Sequence, residues 1–382
     1  MNFSLSEEQA LIRDTLRQFV ASEVLPGAAE MDRTCRFPSA AVERLSELGL
    51  LGMAIPEAYG GAGLDSLTAT VAVEELARGS ASLAVTVSVS NSVCAGPIVR
   101  YGTEEQRRRY LPLLARGEIL GGFSLTEPDS GSDASHLRAR AVRDGDSYVL
   151  SGDKAWVTNV QVGRLFVVLA VTDPAQGGRG ITAFLVESGF PGFSFGKVED
   201  KMGLRSSLTG SILLQDCRVP AGNRLGEEGQ GFKIAMATLD GARIGIGAQA
   251  VGIARACLEE SVAYARQRQA FGKPIGELQA IQFMLADMAT AIEGARLLVR
   301  RAAWLRDQGG VPYTREASMA KLFATEMVNR VAYQAVQIHG AYGYSREYPV
   351  ERYFRDARVT TIYEGTSEIL RLIIARKLLE SL

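Results

Sequence analysis

The chain has 382 residues, enough for two or three domains. Lys and Arg number 42 against 43 for Asp and Glu, a net charge of -1, which excludes an extended nucleic-acid footprint but leaves room for a local phosphate pocket. Two histidines, His136 and His339, argue against a histidine-built metal site, and Cys35, Cys94, Cys217 and Cys257 are too scattered for a C-x-x-C pair and read as reduced thiols.

The N-terminus, Met1-Asn2-Phe3-Ser4-Leu5, has neither signal-peptide nor transit-peptide character. Ser6 and Gln9 make a capping box, and Leu11, Ile12, Leu16, Phe19 and Val20 follow at helical spacing until Pro26 stops the helix. Further helices are predicted over 39–48, 66–78 and 80–100, with a Gly-rich loop at 56–63. Thr103 caps another helix, which ends near Gly117. No stretch approaches the roughly 18 uninterrupted apolar residues of a membrane span. Residues 1–118 therefore read as an all-helical domain.

The pattern changes at Gly121-Gly122. Short β-branched or aromatic runs at 147–150, 155–158, 165–172, 181–186, 193–195 and 211–219 read as strands. They define a β domain over 119–228. Helical period returns at Gly231 and lasts to the end. Long patterns cover 231–267, a stretch carrying Ile281, Met284, Leu285, Met288 and Ile292, and 314–338; a last one starts near Thr366. Residues 229–382 thus read as a four-helix bundle, and the whole as an α+β chain with helices, then a β-barrel or sandwich, then helices.

Five segments carry candidate chemistry. Tyr363-Glu364-Gly365-Thr366 puts a carboxylate on a short turn with apolar neighbours, where its pKa would rise and it could act as a base. The same residues also read as a helix start, with Thr366 or Ser367 as cap. Residues 123–133 combine hydroxyls and turn formers, leaving backbone N–H groups free for a polar ligand. Trp156 and Thr158, two apart on a strand, suit a flat heteroaromatic ring; Trp156 as core filler is the bland reading. Arg266 and Arg268 at a helix C-terminus either compensate its dipole or bind an anion. Asp240 and Arg243 are one helical turn apart, an ion pair or a polar ligand contact. Gly245-Ile246-Gly247-Ala248-Gln249-Ala250 fits the loose dinucleotide pattern, but it lies inside a helix and reads as close packing.

Taken in order, the segments 56–61, 126–133, 156–159, 268–274, 337–343, 348–352, 355–357 and 362–368 resemble the acyl-CoA dehydrogenase family, nearest its short-chain, butyryl-CoA-type members. The resemblance implies α, β and four-helix-bundle domains, a homotetramer (a dimer of dimers), and one FAD per subunit. It implies that Phe123, Leu125, Thr126 and Ser132 line the FAD and acyl-CoA channel, Ser132 touching substrate. Trp156, Val157 and Thr158 would meet the flavin. Arg268, Phe271, Gln279, Gln337, Ile338, His339, Gly340 and Ala341 would hold the rest of FAD, partly across a subunit interface. Asp240, Arg243 and Gly365 would contact substrate, and Thr366, Ser367 and Glu368 would bind FAD beside the base. Family members carry Ile-Leu-Gly-Gly where this chain has Ile338-His339-Gly340-Ala341.

Some relatives place the base at the position of Ala242, which cannot abstract a proton; here the resemblance favours Glu364. The implied reaction is α,β-dehydrogenation of a short- to medium-chain acyl-CoA, straight or branched, to its trans-2-enoyl-CoA. Electrons would pass to an electron-transferring flavoprotein. The expected location is cytoplasmic, or the mitochondrial matrix for a processed eukaryotic form. Other readings keep the fold: an acyl-CoA oxidase or flavin monooxygenase using O2, or a non-catalytic helical scaffold.

Overall fold

A computed structural model describes residues 4–381; Met1, Asn2, Phe3 and Leu382 lie outside it. Seven helices come first: α1 (Glu7–Phe19), α2 (Leu25–Thr34), α3 (Ser39–Glu47), α4 (Ser66–Gly79), α5 (Ala81–Val89), α6 (Gly96–Tyr101) and α7 (Glu104–Ala115). Ser6 and Thr103 each close a complete capping box, on Gln9 and Gln106.

Pro26 does not stop the first helix. The chain widens into a π-turn, Val20–Val24, and runs on as α2 with the proline in its first turn. The Leu25 N–H reaches back five residues to the Val20 carbonyl. That widening moves aside the carbonyl a proline ring would strike, and a first-turn proline lacks only an N–H that has no helical partner there. The same device recurs at the π-turn Ser90–Ala95, followed by Pro97 in α6. Together Ala81–Tyr101 has the length and composition of a membrane span, yet 83% of its most apolar 18-residue window is buried inside the protein.

Eight strands follow: β1 (Leu120–Ser124), β2 (Arg140–Asp144), β3 (Ser147–Thr158), β4 (Gly163–Val171), β5 (Ile181–Glu187), β6 (Phe193–Val198), β7 (Thr209–Pro220) and β8 (Arg224–Leu225). The sheet order is β6-β7-β3-β2-β4-β5-β8, with β1 parallel to β4. Three of these strands, β1, β2 and the two-residue β8, are absent from the sequence reading. The glycines of β1 looked like a boundary, but they are there for fit. A Cβ at Gly121 would sit 2.3 Å from Cys94 Sγ, and one at Gly122 would sit 2.7 Å from the Phe166 ring. β2 is polar and exposed, so it carries no apolar run. The two runs at 147–150 and 155–158 are one strand, with Gly152 at φ 143° between them.

β4 explains how the sheet joins the helices. Leu165, Val167 and Leu169 pack into a core shared with Ile98, Leu111 and Leu114 of the N-terminal helices. Phe166, Val168 and Ala170 point the other way, into the sheet's own core with Phe184 and Ile212. A period of two on a strand buried on both faces produces this split.

The chain ends in α8 (Gly231–Gln267), α9 (Gln279–Asp307), α10 (Thr314–His339), α11 (Val350–Arg358) and α12 (Ser367–Ser381). α11 carries three arginines, yet Val350, Tyr353 and Ala357 are buried on it, together with Arg352 and Asp356. The glycines of α8 serve close packing: a Cβ at Gly252 would lie 2.3 Å from the Glu74 carbonyl oxygen of α4. Gly252→Ala therefore forces α4 and α8 apart. The expected loss is about 1–3 kcal/mol, read as a lowered Tm in thermal unfolding followed by circular dichroism.

Candidate active site

The turn between α11 and α12 carries Glu364. Its φ is 56° and that of Gly365 is 100°. A non-glycine residue in this left-handed region costs roughly 1–2 kcal/mol, so its surroundings must hold it there. Two buried cations do so. Arg243 of α8 donates from Nε to the Glu364 carbonyl at 3.3 Å. Lys321 of α10 donates from Nζ to the Gly365 carbonyl at 2.7 Å. The next residue, Thr366, caps α12 by accepting from the Ile369 N–H at 3.3 Å. Tyr363, on the other side of the base, is anchored by its hydroxyl to Gln249 of α8.

The Glu364 side chain is only partly covered, but its Oε2 is shut off from solvent and has no hydrogen-bond partner. Burial pushes this carboxyl up to about 7, against the pull of Arg243 and Lys321. A carboxyl with that affinity for a proton, and one oxygen uncommitted, is suited to general-base work near neutral pH.

Arg243 is buried and its charge is already matched by Asp240, 2.6 Å away. Asp240 also accepts from the Thr314 hydroxyl at 2.6 Å. This pair therefore backs the Glu364 turn. Ala242, at the alternative base position, is buried and apolar.

The middle sheet supplies a second face. Trp156 has φ 58° at a bulge where the pairing of β3 with β7 shifts between Lys154 and Val157. Val157 is buried, whereas Trp156 is 62% exposed and Thr158 partly buried. Trp156 is thus not core filler: the bulge lifts its indole off the sheet. Leu125 is buried, Phe123 and Thr126 are partly buried, and Ser132 is exposed on the loop beyond.

A buried ion pair absent from the sequence reading fixes that loop. Lys154 Nζ lies 2.7 Å from Glu127 Oε1 and 3.2 Å from the Leu125 carbonyl. Glu127 also accepts the N–H groups of Arg138 at 2.6 Å and Ala139 at 3.0 Å. The Ala155 N–H bonds the Thr126 carbonyl at 2.9 Å, so β3 and residues 125–127 move as one piece. Burial lowers the Lys154 ammonium to about 8, with Glu127 opposing.

A third group gathers on the helical bundle. The Arg268 guanidinium lies over the Tyr342 ring at 5.6 Å. Phe271 is 91% exposed at φ 52°, and Gln279 is exposed at the start of α9. Gln337, Gly340 and Ala341 are exposed, whereas Ile338 and His339 are buried. The His339 ring faces inward: its Nδ1 bonds the Ala335 carbonyl at 2.8 Å and the ring stacks on Tyr264 at 4.3 Å.

Lys321 was also missing from the sequence reading. It shares an apolar stripe with Ala317, Ala320, Ala324 and Val328, all buried. A lysine on such a stripe is a signal that a sequence could have given.

Family models for the acyl-CoA dehydrogenase N-terminal, middle and C-terminal domains match residues 6–118, 122–217 and 229–379. The chain belongs to the acyl-CoA dehydrogenase family. It is 51% identical over 377 residues to the mitochondrial short-chain specific acyl-CoA dehydrogenase of Bos taurus, covering 99% of this chain and 91% of the relative. Among solved structures, butyryl-CoA dehydrogenase from Megasphaera elsdenii is 45% identical with a TM-score of 0.97, over 99% of this chain and 100% of that one. A chain described under the electron transferring flavoprotein of Acidaminococcus fermentans, in flavin-based electron bifurcation, is 47% identical with a TM-score of 0.98, over 99% and 100%. The protein is accordingly an oxidoreductase acting on a CH–CH bond, of the short-chain, butyryl type.

The raised carboxyl has a consequence for stability. Folded, Glu364 keeps its proton up to about pH 7, against its ordinary 4.5. Between those values folding takes up a proton, so stability falls as pH rises through that window. Glu364→Gln removes this dependence. The variant is expected to gain on the wild type between about pH 4.5 and 7. It then holds an advantage on the order of 2–3 kcal/mol above pH 7. Urea unfolding at pH 5 and pH 8 checks it.

Proposed function

We propose that the protein removes the elements of hydrogen from the α and β carbons of a short-chain acyl-CoA, with Glu364 as the base that takes the α-proton. The observation that carries this reading is the uncommitted, solvent-shielded Oε2 of Glu364 on a turn strained into the left-handed region.

The residues present fit FAD. An exposed indole at Trp156 beside the Thr158 hydroxyl suits a flat, hydrogen-bonding ring. Ser124 Oγ in β1 and Ser367 Oγ beside the base are buried without partners, as polar atoms awaiting a ligand would be. Phe123, Leu125, Thr126, Val157, Thr366 and Glu368 complete that side. Arg268 offers a charged fork to the diphosphate, with Phe271, Gln279 and residues 337–341 around it. FAD, when bound, supplies the acceptor for the β-hydrogen as hydride.

The protein's own part is orientation, proton transfer and exclusion of water. The Glu364 carboxylate takes the α-proton, and the Glu364 N–H donates to the thioester carbonyl as negative charge develops there. A fixed donor in a dry site is worth on the order of 3 kcal/mol at the transition state. Substrate binding that expels water raises the base's proton affinity further. Ser132, Asp240, Arg243 and Gly365 lie on the substrate side, Arg243 acting through the turn it holds. Butyryl-length substrate follows the relatives named above. An electron-transferring flavoprotein takes the electrons, in keeping with the Acidaminococcus fermentans likeness. The assembly is a homotetramer, and buried Cys94, Cys217 and Cys257 suit a reducing compartment.

Glu364→Gln is expected to bind FAD normally but to lose at least about a thousandfold in the rate of flavin bleaching by butyryl-CoA, measured anaerobically by stopped flow. Rapid bleaching of the variant would refute the assignment. Arg268→Ala is expected to lose flavin on gel filtration, because a charged partner of the diphosphate is gone; unchanged 450 nm absorbance per chain would contradict it.

A further inference from the structure

The Glu364 turn is held by two cations, and they differ in one respect. Arg243 is matched by Asp240, so its charge is locally balanced. Lys321 has no such match. It is fully buried, and the partner of its Nζ is the neutral carbonyl of Gly365 at 2.7 Å. Among the described residues no carboxylate lies within ion-pair distance of it. A buried, unmatched ammonium is costly unless something nearby carries the opposite charge. The ionisable groups that act on it are Glu364 on the turn, Glu368 at the start of α12, Arg243 on α8, and Glu326 on its own helix. Of the three carboxylates, Glu364 acts on it most strongly.

We propose that Lys321 is a positioning residue for the base: it clamps the Gly365 carbonyl to hold the left-handed turn, and its positive charge favours the ionised form of Glu364. This rests on the reading of Glu364 as the α-proton base. The two functions belong together. The turn places successive carbonyls, those of Glu364 and Gly365, against one cation each. Fixing both holds the two peptide planes that follow the Glu364 Cα, and with them the point from which its side chain leaves the turn. The same two cations oppose the burial that drives the carboxyl to keep its proton, so an ionised base persists at neutral pH. Burial in turn lowers the Lys321 ammonium to about 7, with Glu364 opposing, so each charge supports the other.

Two substitutions separate clamp from charge. Lys321→Gln keeps a donor for the Gly365 carbonyl and removes the charge. Lys321→Met removes both. In the flavin-loaded protein without substrate, the infrared carbonyl band of protonated Glu364, identified by its loss in Glu364→Gln, is titrated. Its midpoint is expected to rise by about one pH unit or more in both variants. Amides of residues 363–367 are expected to exchange hydrogen faster in Lys321→Met but at the wild-type rate in Lys321→Gln. Anaerobic bleaching by butyryl-CoA at pH 7 should slow in both, with the pH profile displaced upward. An unmoved midpoint in Lys321→Gln overturns the proposal, as do turn amides in Lys321→Met that exchange no faster than wild type. If Lys321→Met does not fold, the infrared midpoint of Lys321→Gln decides alone. A wild type that no acyl-CoA bleaches would sink the dehydrogenase reading, whereas the substrate-free infrared and exchange results would still decide the role of Lys321.

Discussion

A carboxyl group kept from water is the constraint around which the C-terminal half is built. Glu364 sits on a backbone turn that its own side chain disfavours, and three elements hold it there: α8 through Arg243 and Gln249, α10 through Lys321, and α12 through the Thr366 cap. None of these contacts is strong alone. Together they over-determine a local conformation that costs energy, which is how strain persists at a functional site.

The opposite wall is assembled by a different economy of contacts. β4 faces two cores at once, so the sheet cannot shift without disturbing the N-terminal helices. The Glu127–Lys154 pair, sealed beneath the loop at 125–127, converts a surface turn into a fixed rim. Three backbone groups, the Leu125 carbonyl and the N–H groups of Arg138 and Ala139, complete the pair's hydrogen bonds, which is the condition for a buried ion pair to be tolerated. Trp156 then emerges from a bulge on the strand that carries Lys154, so its position follows from the same anchor.

The helical layers are tied by charge as well as by packing. Glu75 and Glu74 of α4 meet Arg255 of α8 at 2.8 and 3.0 Å, and Glu74 meets Arg296 of α9 at 2.9 Å. Arg355 of α11 reaches back to Asp32 of α2 at 2.7 Å, and the buried Asp356 accepts the Leu204 N–H at 2.6 Å. Burial pushes the Asp356 carboxyl up to about 6. These contacts bind regions far apart in sequence and leave the base's turn little freedom.

By itself the sequence determined the order of helical, sheet and helical regions, because the change of period from 3.6 to 2 and back is written in side-chain polarity. It also determined that Tyr363-Glu364-Gly365-Thr366 ends a loop and starts a helix. It did not reveal β1 or β2, whose residues are set by close approach and exposure, nor the helix through Pro26, which depends on a π-turn. Above all it could not tell that Lys154 is buried, and for Lys321 it offered no more than the apolar stripe of α10 on which that lysine lies. Burial, and the pKa changes it causes, belongs to the space between elements, so only the tertiary structure decided which charges face the carboxyl of Glu364.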